Sequence, residues 1–298
     1  MSSKQPTILL TGASGQLGRE LAAILPACGT LIACDRAALD LADPSMIAKV
    51  VREVAPRLIV NAGAYTAVDR AETERDAAFA INGRAPAILA DEAKRAGAVL
   101  IHYSTDYVFD GERTAPYDEL APTHPLNVYG ASKQEGERAI AASGAFALTL
   151  RTSWIYARHG QNFLVTMQKS AATRSELRVV ADQTGVPNWS RALARATARL
   201  VAQGTSYIAE RAGLYHLSAR GQATWYDFAR AIIGNDTPVR VTPITTADYP
   251  TPARRPAYGV LDATRFAGTF GFGLPDWQIL LHECLHAQPE PPPLPRVH

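Results

Sequence analysis

Cysteine is scarce in this chain, and its three residues, Cys28, Cys34 and Cys284, form an odd and widely spread set. Such a set excludes a disulfide framework and points to a reducing compartment, so a cytoplasmic protein is expected. An excess of one charge is also lacking. The formal net charge is +2 and no basic block occurs, so no nucleic-acid partner is expected. No apolar run approaches the ~18 residues of an ordinary spanning helix, and no membrane association is expected. The opening residues lack a charged segment followed by a long apolar one, so no signal peptide is expected. Internal repeats are absent too. Apolar residues are plentiful at 47%, ample for a packed core, and 298 residues suit two domains or one large one.

Short apolar runs alternate with helical spacing through the first half. Strands are predicted near 7–11, 30–34, 58–62, 98–104 and 146–151, and helices near 16–25, 44–53, 75–96 and 126–143. That alternation predicts an α/β fold: a doubly wound parallel sheet of the Rossmann type. After Trp154 the character changes. Helical segments near 162–172 and 191–202 and a short strand at 214–217 are followed by frequent proline. The expected organisation is a dinucleotide-binding domain over 1–155, with later segments near 188–218 interleaved. A smaller C-terminal substrate-binding domain would occupy 156–288, and a proline-rich, disordered tail 289–298.

The first strand runs into Thr11-Gly12-Ala13-Ser14-Gly15-Gln16-Leu17-Gly18 and then a helix. In such a strand–turn–helix unit Gly12 permits the sharp turn, Gly15 lets the backbone approach a pyrophosphate, and Gly18 lets helix and sheet pack closely. The phosphates would rest on the helix N-terminus. Asp35 stands at the end of the second strand, where a carboxylate accepts hydrogen bonds from an adenosine ribose and favours NAD. Arg36 follows at once and could hold the 2′-phosphate of NADP. The pair leaves NADPH and NADH both open. Asp40 and Leu41 lie where an adenine edge could rest. The third strand ends in Asn61-Ala62-Gly63-Ala64-Tyr65-Thr66, whose small residues would let a cofactor lie across the sheet edge. Asn61 could equally be a bridge between strands.

Thr105 stands at the end of the fourth strand, and Tyr129 and Lys133 follow four residues apart, on one face of a helix. A free phenol has a pKa near ~10 and is a poor acid at neutral pH. A cation within about 4–6 Å lowers it by roughly 1–3 units. Thr105, Tyr129 and Lys133 therefore read as a set that delivers a proton to a carbonyl under reduction.

These residues, with Asn61-Ala-Gly-Ala-Tyr-Thr-Ala-Val-Asp69, Tyr103-Ser-Thr-Asp-Tyr-Val-Phe-Asp-Gly111, Leu150-Arg-Thr-Ser-Trp-Ile-Tyr156 and Ala253-Arg-Arg-Pro256, resemble the extended short-chain dehydrogenase/reductase family. The resemblance runs from Leu9 to about Trp277. It implies a catalytic set of Thr105, Tyr129 and Lys133, and cofactor contacts at Gly15, Gln16, Leu17, Asp35, Ala64, Tyr65, Thr66 and Lys133. It implies that Thr105, Asp106 and Trp154 touch a dTDP-sugar substrate. The implied reaction is NAD(P)H-dependent reduction of the C4 ketone of dTDP-6-deoxy-L-lyxo-4-hexulose to dTDP-L-rhamnose. A reductase or epimerase of another nucleotide sugar, or a non-catalytic regulatory subunit on this fold, are the alternatives. Dehydratases that resemble this pattern carry Thr-Asp-Glu; Tyr107 replaces that glutamate here, which favours simple reduction. Arg254 or Arg255 would supply a cationic donor to the substrate diphosphate, with Arg255 the candidate.

Some family members bind magnesium through glutamates at a dimer interface. Glu20 fits one such position, but the second falls near Arg191 and the third in the tail after His286. No metal is therefore expected, and a homodimer is left open. His282-Glu283-Cys284-Leu285-His286 matches a zinc-protease pattern but reads as the flank of an amphipathic helix, since no third ligand follows. His102 and His216 read as satisfied strand residues.

Overall fold

A computed structural model describes residues 5–234 and 237–287. Six strands form its main sheet: β1 (Thr7–Thr11), β2 (Thr30–Cys34), β3 (Leu58–Asn61), β4 (Val99–Thr105), β5 (Ala147–Thr152) and β6 (Gly213–His216). Their order is β2-β1-β3-β4-β5-β6, and every pairing is parallel. Every residue of β3, β4 and β5 is buried. Strands covered on both faces need no polar side, which is why they read as mainly apolar runs without a strict alternation.

Alternate residues feed two cores. Ile8, Leu10, Leu58, Val60 and Ile101 join helices α1 (Gln16–Ile24) and Ser190–Ala202 on one face. Leu9, Ile59 and Leu100 join α2 (Pro44–Val54), α3 (Ala85–Ala96) and α4 (Val128–Ser143) on the other. Each fully buried Leu or Ile contributes roughly 1.5–3 kcal/mol, so these layers fix the sheet on which the site stands.

Two helices differ from their predicted spans. The 75–96 segment is a helix only over Arg75–Phe79 and again over α3, with a π-helical turn over Ala80–Arg84 between them. Pro86, in the first turn of α3, has no N–H to donate, and the Asn82 side chain bonds the backbone of Tyr65 on both sides, at 2.9 and 3.0 Å. The 126–143 segment starts at Val128, because the Asn127 side chain caps it by accepting from the Gly130 N–H at 2.8 Å.

After β5 the chain leaves the sheet and returns to it. The Ser190–Ala202 helix packs on α1, and Gly213–His216 adds β6 beside β5. The remaining segments form a second, smaller cluster. Strand Glu176–Val180 pairs in parallel with Arg240–Ile244, and helices Phe163–Ala171 and Trp225–Ile233 pack against that pair. No helix among the described residues is long and apolar enough to cross a membrane. The predicted tail, 289–298, lies outside the described residues.

Candidate active site

The strand order reverses direction between β1 and β3, and ligands of open parallel sheets bind beyond the carboxyl ends of strands at such a point. A cavity of about 820 Å³ occupies that place and continues past the ends of β4 and β5. One end is built of backbone. Gly12 has φ +68°, and a Cβ there would lie 2.5 Å from the Gly63 backbone. No side chain caps α1, whose N-terminal Gly15, Gln16 and Leu17 line the cavity. Open N–H groups at a helix start suit an anion. Gly18 does not line the cavity. A Cβ on it would fall 1.9 Å from the Gly12 carbonyl oxygen, so it serves to seat α1 on the turn.

The two candidates for the ribose separate. Arg36, Asp40 and Leu41 line the cavity, and Asp35 does not. The Asp35 carboxylate accepts from the N–H groups of Ala37 and Ala38, both at 3.0 Å, so it closes its own turn. Arg36 is 80% exposed and only loosely paired with Asp40, at 3.7 Å. Ala64, Tyr65 and Thr66 line the opposite wall, clamped from behind by Asn82. Arg19, Arg36 and Lys133 are all in the lining, a charge pattern that fits a dinucleotide carrying phosphates.

The other end is built of side chains. Thr105 closes β4, and its hydroxyl donates to Asp106 at 3.1 Å and accepts from the Tyr107 N–H at 3.1 Å. Tyr129 and Lys133, one turn apart on α4, reach the same cavity, as do Asp106 and Trp154. Burial pushes the Asp106 carboxyl up to about 7, against the opposing hydrogen bond of Thr105. Burial also pushes the Tyr129 phenol up to about 12, with the Thr105 side chain opposing and the Asp106 charge adding to the rise. The net shift is therefore upward, opposite to the one expected from Lys133 alone. The Lys133 ammonium nitrogen instead donates to the Tyr103 carbonyl and faces His102 at 3.3 Å, and burial pulls it down to about 8.

Trp154 has a left-handed backbone, φ +41°, uncommon for a bulky residue and often found at functional sites. Its indole lies flat on that of Trp225, with centroids 3.5 Å apart and planes 8° apart. Trp225 also lines the cavity, and sequence reasoning missed it. The one local signal there, the Thr224 and Asp227 capping box, announces a helix and not a site. Arg255 is engaged elsewhere in this structure. It is outside the cavity lining and makes a two-pronged ion pair with Asp69, at 2.9 and 2.8 Å, with further bonds to Thr251 and Ala253. A guanidinium so occupied has little left for a diphosphate.

The remaining candidates are separate from this cleft. Glu20 is buried and accepts from the Arg191 Nε at 2.8 Å, so its carboxylate already has a cationic partner and does not fit a magnesium ligand. The third magnesium position falls in the tail, which is outside the described residues beyond Ala287. His286 bonds the His282 carbonyl one turn back through Nδ1, at 2.8 Å. Among the described residues no group of three His, Cys, Asp or Glu side chains could hold a metal. His216 is buried beside Arg151, and both burial and that charge push its pKa down to about 3.

Comparison with known proteins adds an independent line. The family model described as the RmlD substrate binding domain matches residues 6–289. A dTDP-4-dehydrorhamnose reductase of Burkholderia thailandensis is 44% identical over 290 residues, covering 93% of this chain and 97% of that protein. The Escherichia coli K12 protein of the same description is 42% identical, covering 94% and 97%. The crystal structure of a Bacillus anthracis dTDP-4-dehydrorhamnose reductase in complex with NADP superposes with a TM-score of 0.89 at 34% identity, covering 94% of this chain and 99% of that one.

Proposed function

This chain belongs to the dTDP-4-dehydrorhamnose reductase family, and from that premise we propose how its cleft performs the reaction. The protein is an NAD(P)H-dependent oxidoreductase that reduces the C4 ketone of dTDP-6-deoxy-L-lyxo-4-hexulose to the alcohol of dTDP-L-rhamnose. The observation that carries the assignment of roles is the meeting of Thr105, Tyr129 and Lys133 at the far end of a cavity that begins at an uncapped helix N-terminus. A nicotinamide cofactor held in this cleft would supply the hydride for the carbonyl carbon. Tyr129 gives its phenolic proton to the carbonyl oxygen, which becomes the hydroxyl. Thr105 steadies that oxygen as charge develops on it. Lys133 stabilises the phenolate that Tyr129 leaves behind.

Tyr107 supports reduction over elimination. Its ring stands edge-on to Tyr129, with centroids 5.6 Å apart, and burial pushes its phenol far up. It is no base for removing a ring proton. Arg36 on the cavity wall and Asp35 turned away from it support NADPH as the preferred cofactor. Trp154 and Trp225 supply an apolar face for the sugar. We assign the cofactor half to 1–155 with the returning 188–218 segment, and the substrate half to the rest. None of the three cysteines forms a disulfide, which supports a cytoplasmic setting. With Glu20 held by Arg191, a homodimer, if formed, would not depend on magnesium there.

Incubation with NADPH and the keto-sugar nucleotide tests the proposal, with the product identified by NMR. Stoichiometric NADPH oxidation and a rhamnose-configured C4 alcohol are expected. Tight NADPH binding without turnover would instead make the chain a non-catalytic subunit.

A further inference from the structure

Asn61 and His102 are buried polar residues in otherwise apolar strands, and their hydrogen bonds can be counted atom by atom. The Asn61 Oδ1 accepts from the Thr11 hydroxyl at 2.6 Å and from the Gly63 N–H at 3.2 Å. A backbone N–H only donates, so it fixes which way the amide points. The Asn61 Nδ2 therefore faces the His102 Nδ1, at 2.9 Å. An amide nitrogen has only donors, so Nδ1 must accept. A neutral imidazole has one donor and one acceptor nitrogen, which puts the proton on Nε2. Burial keeps His102 neutral by pushing its pKa well down, and any charge on Lys133 pushes the same way. The Nε2–H then points at the Lys133 Nζ, 3.3 Å away. An ammonium has three donors and no acceptor, whereas an amine can accept that hydrogen.

We infer that Thr11, Asn61 and His102 form a relay that disfavours the ammonium form of Lys133 in the free enzyme, and that NAD(P)H binding returns its proton. The relay acts on Lys133 by position, without touching substrate. The other charged or titratable groups near Lys133 are few. Glu137, one turn on along α4, favours the ammonium, but Arg151 of β5 holds both its oxygens, at 2.8 and 2.6 Å. Tyr129 lies one turn back, with Asp106 beyond it. Burial already brings Lys133 down to about 8, in the same direction as the relay. A bound polyanionic cofactor would reverse the balance, since its phosphates would favour the cation and its hydroxyls would offer acceptors to the Lys133 N–H groups. The lysine that stabilises the Tyr129 phenolate thus becomes fully charged once the hydride donor is in place. Because the free-enzyme midpoint is lowered and the bound one raised, binding takes up a proton. Affinity then falls by up to ~tenfold per pH unit between the two midpoints.

The test uses the full chain with lysine carrying 13C at Cε, and Lys133→Met to identify its resonance. In the free protein Lys133 should titrate well below the other lysines, and two-bond 1H–15N correlations should put the His102 proton on Nε2. Asn61→Asp should move that proton to Nδ1 and raise the Lys133 midpoint, since Nε2 then accepts from the ammonium. His102→Gln, whose amide can turn its oxygen to Lys133, should raise it as well. A His102 proton on Nδ1 in the wild type, a Lys133 that titrates with the rest, or a midpoint unmoved in both variants would overturn the relay. Calorimetry in two buffers at about pH 8.5 should show proton uptake with NADPH. Binding without uptake overturns the cofactor step. The inference rests on the NAD(P)H reading, yet a protein that fails to bind NADPH while the free-protein results stand would fail that reading and not the relay.

Discussion

The two ends of the cleft are made of different material. The phosphate end is a tight turn and a helix start, where glycines decide what fits and no side chain caps the helix N–H groups. The chemical end is made of side chains, Thr105 with Asp106, Tyr129 and Lys133, and the proton affinities of the last three are set by what surrounds them. The difference teaches what each end is sensitive to. The backbone turn itself carries no titratable group and is lost by steric insertion. A side-chain site keeps its shape through conservative changes and is lost by a single proton.

Tyr129→Phe should break the comparison most sharply. The ring still packs, but the proton is gone, so turnover should drop by about 10²–10⁴ while NADPH binding stays near wild type. A variant that keeps a tenth of its activity in stopped-flow NADPH oxidation would take Tyr129 out of the acid role. At the opposite end, Arg36→Ala should raise the KM for NADPH by roughly tenfold, about 1.4 kcal/mol for one lost charge-assisted contact, and leave the KM for NADH alone. Equal losses with both cofactors would mean that Arg36 does not meet the 2′-phosphate.

Asp106 gives a pH signature that the phosphate end lacks. Its folded value, about 7, is above the unfolded one, so the fold holds the extra proton between the two. Stability should accordingly fall as pH rises from about 4 through 7, and Asp106→Asn should flatten that slope. Thermal melts of both proteins across the range check the sign; identical slopes would show that Asp106 ionises normally. The smallest effect is expected from Arg255→Met. Loss of the Asp69 pair should lower the melting temperature by a few degrees and leave the NADPH KM unchanged. A raised KM for the sugar nucleotide would restore Arg255 to the substrate site.

The same contrast explains what could be read from the chain itself. Strands buried on both faces show up as apolar runs, and the glycine turn shows up because no other residue fits at Gly12. Both are local constraints, and the sheet and the cofactor end follow from them. The failures are non-local. Asp35 and Arg36 are neighbours in sequence, and only the turn that Asp35 closes decides which one meets the cleft. Arg255 is drawn off by Asp69, 186 positions earlier. Asn61 and His102 sit in apolar runs where a polar residue signals only that some partner exists. Thr105, Tyr129 and Lys133 were legible as a set because strand end and helix spacing place them, but not the direction of the Tyr129 shift, which depends on burial.

The face-to-face indoles of Trp154 and Trp225 are also an optical device. Two chromophores 3.5 Å apart and nearly parallel share their excitation, so their near-ultraviolet circular dichroism belongs to the pair and not to either ring. Any change in spacing or tilt rewrites that signal. The substrate side of the cleft is thereby supplied with a label-free readout of its own geometry.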